Sequence, residues 1–377
     1  MSKRKKILII ENSVAVTGSF HAVLRTSIAL GNKFEFIFIL PKGSTATNLV
    51  TENGFGLYEL PLYELAKNWI SVLLYIPRLM LSVLHVKNLV RKEDISIVHV
   101  NDFYNLIMPL WRLCGGSVCY LCYVNFVPNR FTFLLRKIWI TSHSLFSSKI
   151  IAVSNLVLSQ LPVSNKVTCI PDALPNECPK PEKVIEKKEV ILFLGNFIIG
   201  KGQDLAIKAF ALLAQNYPAW KLRFAGGDMG LEKNRIYKKG LQDMANELRI
   251  ESQIEMTGFA NDVAKEYQEA SIALNFSASE SFSLTVQEAM FYGCPIIATR
   301  SGGPSELIED KYSGLLVPLA DIEAMKEAIR FLIDNPLERE RLKENAARSI
   351  RDKFNYEKTI GLLDRIYQDL MQKSEVI

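Results

Sequence analysis

Three stretches of the sequence carry residue types and spacings suited to chemistry on a phosphate ester. In Leu194-Gly195-Asn196-Phe197-Ile198-Ile199-Gly200-Lys201-Gly202 the glycines let the backbone approach a ligand closely, and a helix beginning there would offer unpaired N–H groups to phosphate. Lys201 adds a full positive charge, which a departing diphosphate needs. In Glu280-Ser281-Phe282-Ser283-Leu284-Thr285-Val286-Gln287-Glu288 two carboxylates bracket a turn and the start of a helical pattern. A carboxylate accepts paired hydrogen bonds from vicinal hydroxyls, and such charge-assisted bonds are the stronger kind. Eight residues of helix would advance about 12 Å, comparable to the distance from a donor's sugar ring to its ribose, although Glu280 reads as part of the preceding loop. The N–H groups near Ser283–Thr285 would face a diphosphate between the two carboxylates, and Ser277 or Ser279 could cap the turn. Thr299-Arg300-Ser301-Gly302-Gly303-Pro304-Ser305-Glu306 makes a glycine turn into a short helix. Each stretch also has an ordinary reading: a structural Gly-Lys-Gly loop, a first-turn acidic residue with a solvated partner, and a helix cap with structural glycines.

The elements that must position these stretches alternate between short apolar runs and helical patterns. Ile7–Ile10, Phe34–Leu40, Ile95–Val100, Val118–Val124, Ile150–Val153 and Val167–Ile170 read as strands, with helices such as His21–Ala29 and the segment around Leu65–Val90 between them. A polar, proline-rich piece from Pro171 through Pro175, Pro179 and Pro181 to Glu186–Glu189 reads as a linker. The alternation restarts with strands at Val190–Leu194, Lys221–Ala225, Ile254–Thr257, Ile272–Asn275 and Pro295–Ala298, and helices at Asp204–Gln215, Ile236–Glu247 and Leu284–Tyr292. This order predicts α/β architecture with parallel sheets wrapped by helices, and ligands beyond the carboxyl ends of the strands.

At 377 residues the chain suits two domains of roughly 150–200 residues each. Its composition, 49% hydrophobic and 23% charged, is that of a globular protein. The net charge of +5 is unevenly spread. Residues 1–180 hold 19 Lys+Arg against 10 Asp+Glu, and the remainder 26 against 30. A basic half joined to a mildly acidic one suggests a face meant for an anionic surface or acceptor. Beyond Lys3–Lys6 there is no dense basic run and no nucleic-acid motif, so nucleic acid is not an expected partner. The four apolar residues after the basic start are too few for a signal peptide. The apolar stretch Trp69–Leu84 is interrupted by Pro77 and Arg78 and falls short of a membrane span. A cytoplasmic chain, free or at the inner face of the membrane, is expected. Six cysteines in a chain of this length suggest reduced thiols, and the lone Cys119-x-x-Cys122 sits in an apolar run without a second pair to complete a zinc site. His99, at a strand end, is a structural histidine or a candidate on the acceptor side.

Taken together, these residues resemble the large retaining glycosyltransferase group often called family four, the group 1 glycosyltransferases. The resemblance is most specific from Gly195 to Pro318. Glu280-x7-Glu288 looks like the family signature, and Glu288-Ala289-Met290-Phe291-Tyr292-Gly293-Cys294-Pro295 like its continuation. Ser301–Glu306, Gly314-Leu315-Leu316-Val317 and Phe224-Ala225-Gly226-Gly227 follow the family's order and spacing. The resemblance implies the GT-B fold, two doubly wound Rossmann-like domains facing across a cleft. The expected division is 1–175 for the acceptor, 176–355 for the nucleotide sugar, and a helix at 356–377 packing back on the N-terminal domain.

By position, the resemblance implies that Glu288 binds the donor ribose and Glu280 the hydroxyls of the transferred sugar, with backbone at Phe282–Leu284 near the phosphates and Lys201 stabilising the leaving diphosphate. Gly18, Asn196, Gly227, Ser281 and Ser283 join them on the donor side; Ser19, His99 and Asn125 are acceptor-side candidates. No cofactor and no metal are expected, since such enzymes work without a divalent ion and no acidic metal-binding triad is evident. Three departures from the pattern stand out. Asn196 occupies the usual place of an arginine; Ser281 and Ser283 replace glycines flanking Phe282; and in the N-terminal half Ser19 replaces a glycine while Asn125 sits where a histidine is often found. The expected activity is retaining transfer of a hexose-type sugar from a UDP- or GDP-sugar to a glycan or lipid-linked acceptor. The departing phosphate oxygen would take the acceptor's proton. Alternatives are a nucleotide-sugar-binding scaffold subunit, or an epimerase or phosphorylase on a similar fold. The basic and aromatic run Arg130–Trp139, with the Trp69–Leu84 region, reads either as core helices or as a peripheral contact with anionic membrane.

Overall fold

The computed structural model describes residues 4–62, 69–175, 187–260 and 262–374. The expected linker residues Pro179 and Pro181, with Cys178 and Leu65, lie outside them. The chain forms two compact units, Met1–Ala173 with Glu357–Ile377, and Leu174–Tyr356.

The first unit is built on seven strands: β1 (Lys6–Ile10), β2 (Glu35–Pro41), β3 (Gly56–Leu60), β4 (Ile95–Val100), β5 (Cys119–Val124), β6 (Lys149–Ala152) and β7 (Val167–Cys169). They lie in the order β3-β2-β1-β4-β5-β6-β7, and every pair is parallel. A parallel sheet covered on both faces favours continuous apolar runs over alternation. Ile7–Ile10 and all six residues of β5 are accordingly buried, and Cys119 and Cys122 are two of those six. Strand β3 escapes the apolar-run reading because Gly-Leu-Tyr-Glu-Leu sits at the sheet edge, with two of its five residues exposed.

The helix Trp69–Glu93 runs unbroken through Pro77. An internal proline costs about 3 kcal/mol, and here burial of Tyr75, Leu79, Val83, Val86, Leu89 and Val90 along the helix offsets it. No helix among the described residues is long and apolar enough to cross a membrane. The last helix, Tyr356–Ser374, is tied to the first unit by Tyr367. That ring is wholly buried, lies edge-on to Phe34 and Phe36 at 5.7 and 6.2 Å, and places its hydroxyl 2.8 Å from His99 Nδ1.

The second unit holds β8 (Lys188–Leu194), β9 (Lys221–Ala225), β10 (Ile254–Gly258), β11 (Ala270–Asn275), β12 (Ile296–Thr299) and β13 (Leu315–Val317) in the order β10-β9-β8-β11-β12-β13. Its core packs Ile191, Phe193, Ile272, Leu274 and Ile297 of the sheet against helical residues such as Phe210 and Leu332. In both sheets the order turns back beside the first strand, between β1 and β4 and between β8 and β11. Those two switch points open crevices at the carboxyl ends of the strands, where ligands of open α/β sheets bind.

Candidate active site

In the second unit, four loops leaving the carboxyl ends of β8, β9, β11 and β12 are tied into one hydrogen-bonded frame. The Phe197 N–H donates to the Gly227 carbonyl (2.9 Å), and the Gly227 N–H donates to Asn196 Oδ1 (3.2 Å), joining the loops after β8 and β9. The Ala278 N–H donates to the Gly200 carbonyl (2.9 Å) and Ser277 Oγ to the Lys201 carbonyl (3.4 Å), bringing in the loop after β11. The Glu280 N–H donates to Ser301 O, and the Gly303 N–H to Glu280 O, both at 2.9 Å, adding the loop after β12. Two glycines permit this closeness. A Cβ at Gly202, whose φ is +89°, would stand 2.2 Å from the Phe276 carbonyl oxygen, and one at Gly303 would stand 2.2 Å from that of Phe282.

Within this frame Lys201 Nζ lies 2.7 Å from Glu280 Oε1. The glutamate side chain is 12% exposed and the lysine 37%, so the pair sits at the mouth of the crevice with the lysine outermost. Burial pushes the Glu280 carboxyl up. The Lys201 charge and the hydrogen bonds with Lys201, Ser277 and Asn275 outweigh burial and hold it below its ordinary value. Glu280 is in the loop, as expected, and the helix begins only at Leu284. The distance between the two signature carboxylates is therefore partly loop.

Neither Ser277 nor Ser279 caps the helix Leu284–Phe291. Its N-cap is Ser283, held at φ +87° with no side-chain cap bond, and no acidic residue occupies the first turn. The first-turn amides thus have no side-chain cap competing with a bound phosphate. Asn275 Nδ2 donates to Ser283 Oγ (3.1 Å) and to Thr285 Oγ1 (2.9 Å), fixing the turn. Glu288 and Phe282 are buried, and Leu284 and Ser281 half-buried. The structure brings Lys201 and Glu280 together and pairs Asn196 with Gly227. It also adds Asn275, which the motif reading missed and whose only sequence signal is a polar residue closing an apolar strand, and it gives Ser277 and Thr285 bonding roles other than those expected.

The remaining candidates belong to the first unit. Thr17 caps the helix Gly18–Leu30, accepting from the Phe20 N–H, and its Oγ1 lies 3.0 Å from Ser19 Oγ. Asn101 connects the others: Asn125 Nδ2 donates to its carbonyl (2.5 Å), and its own Nδ2 donates to the Ser19 carbonyl (3.3 Å) and to Glu11 Oε2. Glu11 is buried at the end of β1, and burial pushes its carboxyl up. It lies at the first switch point and is absent from the motif reading because it looks like a strand stop. His99 lies within β4, 1% exposed and stacked on Tyr123 at 4.8 Å. Burial lowers its pKa to about 3, so the ring is neutral. Among the described residues no three His, Cys, Asp or Glu side chains group to hold a metal ion.

Residues 176–349 match the family described as glycosyl transferases group 1. The chain carries a group 1 glycosyltransferase domain. The four-loop frame, Lys201, Glu280 and Glu288 all fall inside the matched region. Over 333 residues the chain is 27% identical to an uncharacterized glycosyltransferase of Haemophilus influenzae, covering 85% of this chain and 88% of that one. It is 32% identical over 193 residues to a D-inositol 3-phosphate glycosyltransferase of Saccharomonospora viridis, covering 48% and 43% of the two chains. The crystal structure of Anabaena HepE in complex with UDP and glucose superposes with a TM-score of 0.82, at 16% identity and over 97% of this chain and all of that one. This likeness and the two doubly wound sheets give the chain the GT-B fold.

Proposed function

We propose that the chain is a retaining, metal-independent glycosyltransferase. It moves a hexose-type sugar from a UDP- or GDP-sugar to a glycan or lipid-linked acceptor, in polysaccharide or glycolipid biosynthesis. The 2.7 Å Lys201–Glu280 pair at the crevice mouth carries this reading. Donor binding would give Lys201 a diphosphate in place of the carboxylate, and free Glu280 to accept hydrogen bonds from the sugar's hydroxyls. The bond between anomeric carbon and diphosphate oxygen breaks. The acceptor oxygen bonds to the same carbon on the same face, and its proton passes to the departing phosphate oxygen. Lys201 and the first-turn amides of Leu284–Phe291 stabilise the charge that develops. Glu288 holds the ribose.

The acceptor falls to the basic first unit, through Ser19 and Asn125, while Gly18 stays on the donor side. This unit also suits an anionic membrane at the cytoplasmic face. Ile76, Met80, Leu81 and Leu84 are exposed on one helix, and Phe133, Leu134, Ile138 and Leu145 on another beside Arg136 and Lys137. Apolar faces flanked by basic residues lie in lipid interfaces.

Free nucleotide diphosphate release from UDP- and GDP-sugars, with and without acceptor extract, tests the reaction, and the anomeric coupling of the product tests retention. An inverted product overturns retention. One observation favours a second reading: Asn196 Oδ1 is engaged by the Gly227 amide, leaving Lys201 as the motif's only cation for the diphosphate. Donor binding without any release of nucleotide would identify a scaffold subunit instead.

A further inference from the structure

The first unit has a second polar cavity at the opposite end of its sheet from the switch point. Its volume is about 390 Å³, and Arg112, Lys149, Lys166 and Lys373 line it. Lys149 opens β6 and Lys166 immediately precedes β7, so the cavity lies at the amino ends of strands whose carboxyl ends face the crevice. Arg112 belongs to the helix Ile107–Leu113, and Lys373 to the last helix. Four separate elements therefore bring one cation each to the same place.

Among the described residues no carboxylate lines the cavity, and none of the four forms an ion pair. Their bonds are to backbone carbonyls: Arg112 Nη1 to Gly116 O (2.9 Å), Lys149 Nζ to Asn165 O (3.2 Å) and Lys166 Nζ to Ser144 O (3.3 Å). Carbonyls orient the lysines without neutralising them. A second observation points the same way. Ser147 lines the cavity, is only 2% exposed, and its buried Oγ makes no hydrogen bond. A buried hydroxyl without a partner is costly, and an acceptor oxygen placed among the four cations would satisfy it. Four same-sign charges around one concavity repel one another, and an anion removes that cost as well.

We propose that this cavity binds a phosphate group. The group would be held by Arg112, Lys149, Lys166 and Lys373, with Ser147 donating to it, at a site separate from the donor crevice. Phosphate matches these features: multiple charge, several acceptor oxygens and a size well within the cavity. The phosphate can belong to a lipid headgroup or to a soluble phosphorylated compound. Leu145, which lines the cavity, is 66% exposed, as suits a site facing a lipid interface.

Three chains test this: the natural one, Lys149→Ala/Lys166→Ala, and Lys201→Ala as a control for the donor crevice. Each is titrated calorimetrically with inorganic pyrophosphate and sedimented with phosphatidylcholine vesicles, with and without phosphatidylglycerol. Removing the two lysines should weaken pyrophosphate binding at this cavity by at least about tenfold, while Lys201→Ala retains it. For vesicles, each lysine removed should cost about fivefold. Loss with both probes supports a headgroup as the natural source, and loss with pyrophosphate alone supports a soluble one. Unchanged affinity for both probes overturns the proposal. If the double variant loses its circular-dichroism signature, the single change Lys373→Glu, at an exposed position on the last helix, replaces it with the same expected losses. The readout is independent of glycosyl transfer, so an inactive chain can still bind here and an active one can fail to.

Discussion

Lys201 and Glu280 neutralise one another at 2.7 Å, and each is expected to change partner when a donor arrives. Their variants should therefore separate by step. Lys201→Ala removes charge where the leaving diphosphate develops it, and kcat should fall about 10²–10³-fold, the loss typical of a missing preorganised donor. Glu280 and Glu288 serve opposite ends of the donor. Glu280→Ala should leave the affinity for free nucleotide within a factor of about two while abolishing discrimination between nucleotide and nucleotide sugar. Glu288→Ala should weaken both ligands by about 10- to 100-fold, the worth of hydrogen bonds to a charged group. Calorimetric titration with nucleotide and with nucleotide sugar checks the pair of outcomes. Equal losses for both ligands in Glu280→Ala would remove this residue from the sugar end.

At the level of elements, the turn from β11 into Leu284–Phe291 balances strain against bonding. Ser283 holds φ +87°, a region costing an ordinary residue about 1–2 kcal/mol, and the 3.1 Å bond from Asn275 offsets about 1 kcal/mol of it. Ser283→Gly removes strain and bond together, and the unfolding free energy from urea titration should stay within about 1 kcal/mol of the natural chain. Ser283→Val keeps the strain, adds a β-branch and deletes the acceptor, and should cost about 2 kcal/mol or more. Gly303→Ala, with its Cβ 2.2 Å from the Phe282 carbonyl, should pull Glu280 out of place and cut activity even where the unit stays folded. This turn also marks how far the sequence can be read. The strands of both sheets were legible because sheets buried on two faces write themselves as apolar runs, and the glycine loops were legible because close approach needs glycine. Edge strands β3 and β13 were not, since β3 carries Gly56 and Glu59 exposed and no residue fully buried, and β13 is only three residues long. The role of Asn275 was not legible either, and Ser277, expected as a turn cap, bonds the Lys201 carbonyl instead, because a polar residue at a strand end gives no sign of which loop it will bond. The helix through Pro77 was legible as the long pattern around Leu65–Val90, because tertiary packing overrides the breaker inside it.

Over the whole molecule, titratable groups are divided as unevenly as charge. All four histidines lie in the first unit. Burial lowers His99 to about 3 and His143 to about 4, and burial with the nearby Arg25 charge lowers His21 to about 4. A histidine kept neutral when folded takes up a proton on unfolding once the pH is below about 6.5, so this unit loses stability as pH falls from there toward 4. Glu11 and Asp172 oppose the trend. Burial raises Asp172 to about 7, partly countered by Arg25, and raises Glu11 as well, so these carboxyls bind protons in the folded state first. The three histidines outnumber the two carboxyls, so the first unit loses stability on balance as the pH falls below about 6.5. In the second unit Glu269, bonded to Lys188, and Glu255, where Arg223 outweighs burial, are held below their ordinary values, as is Glu280. Those contributions are intact above about pH 4.5 and vanish only as pH falls through the lowered values. Scanning calorimetry should show the first unit's transition moving to lower temperature between about pH 6.5 and 4.5 while the second unit's holds. His99→Gln, which keeps a polar partner for Tyr367 without the titration, should flatten the first unit's slope. A second-unit transition that moves first on acidification would contradict this division of charge between the two halves.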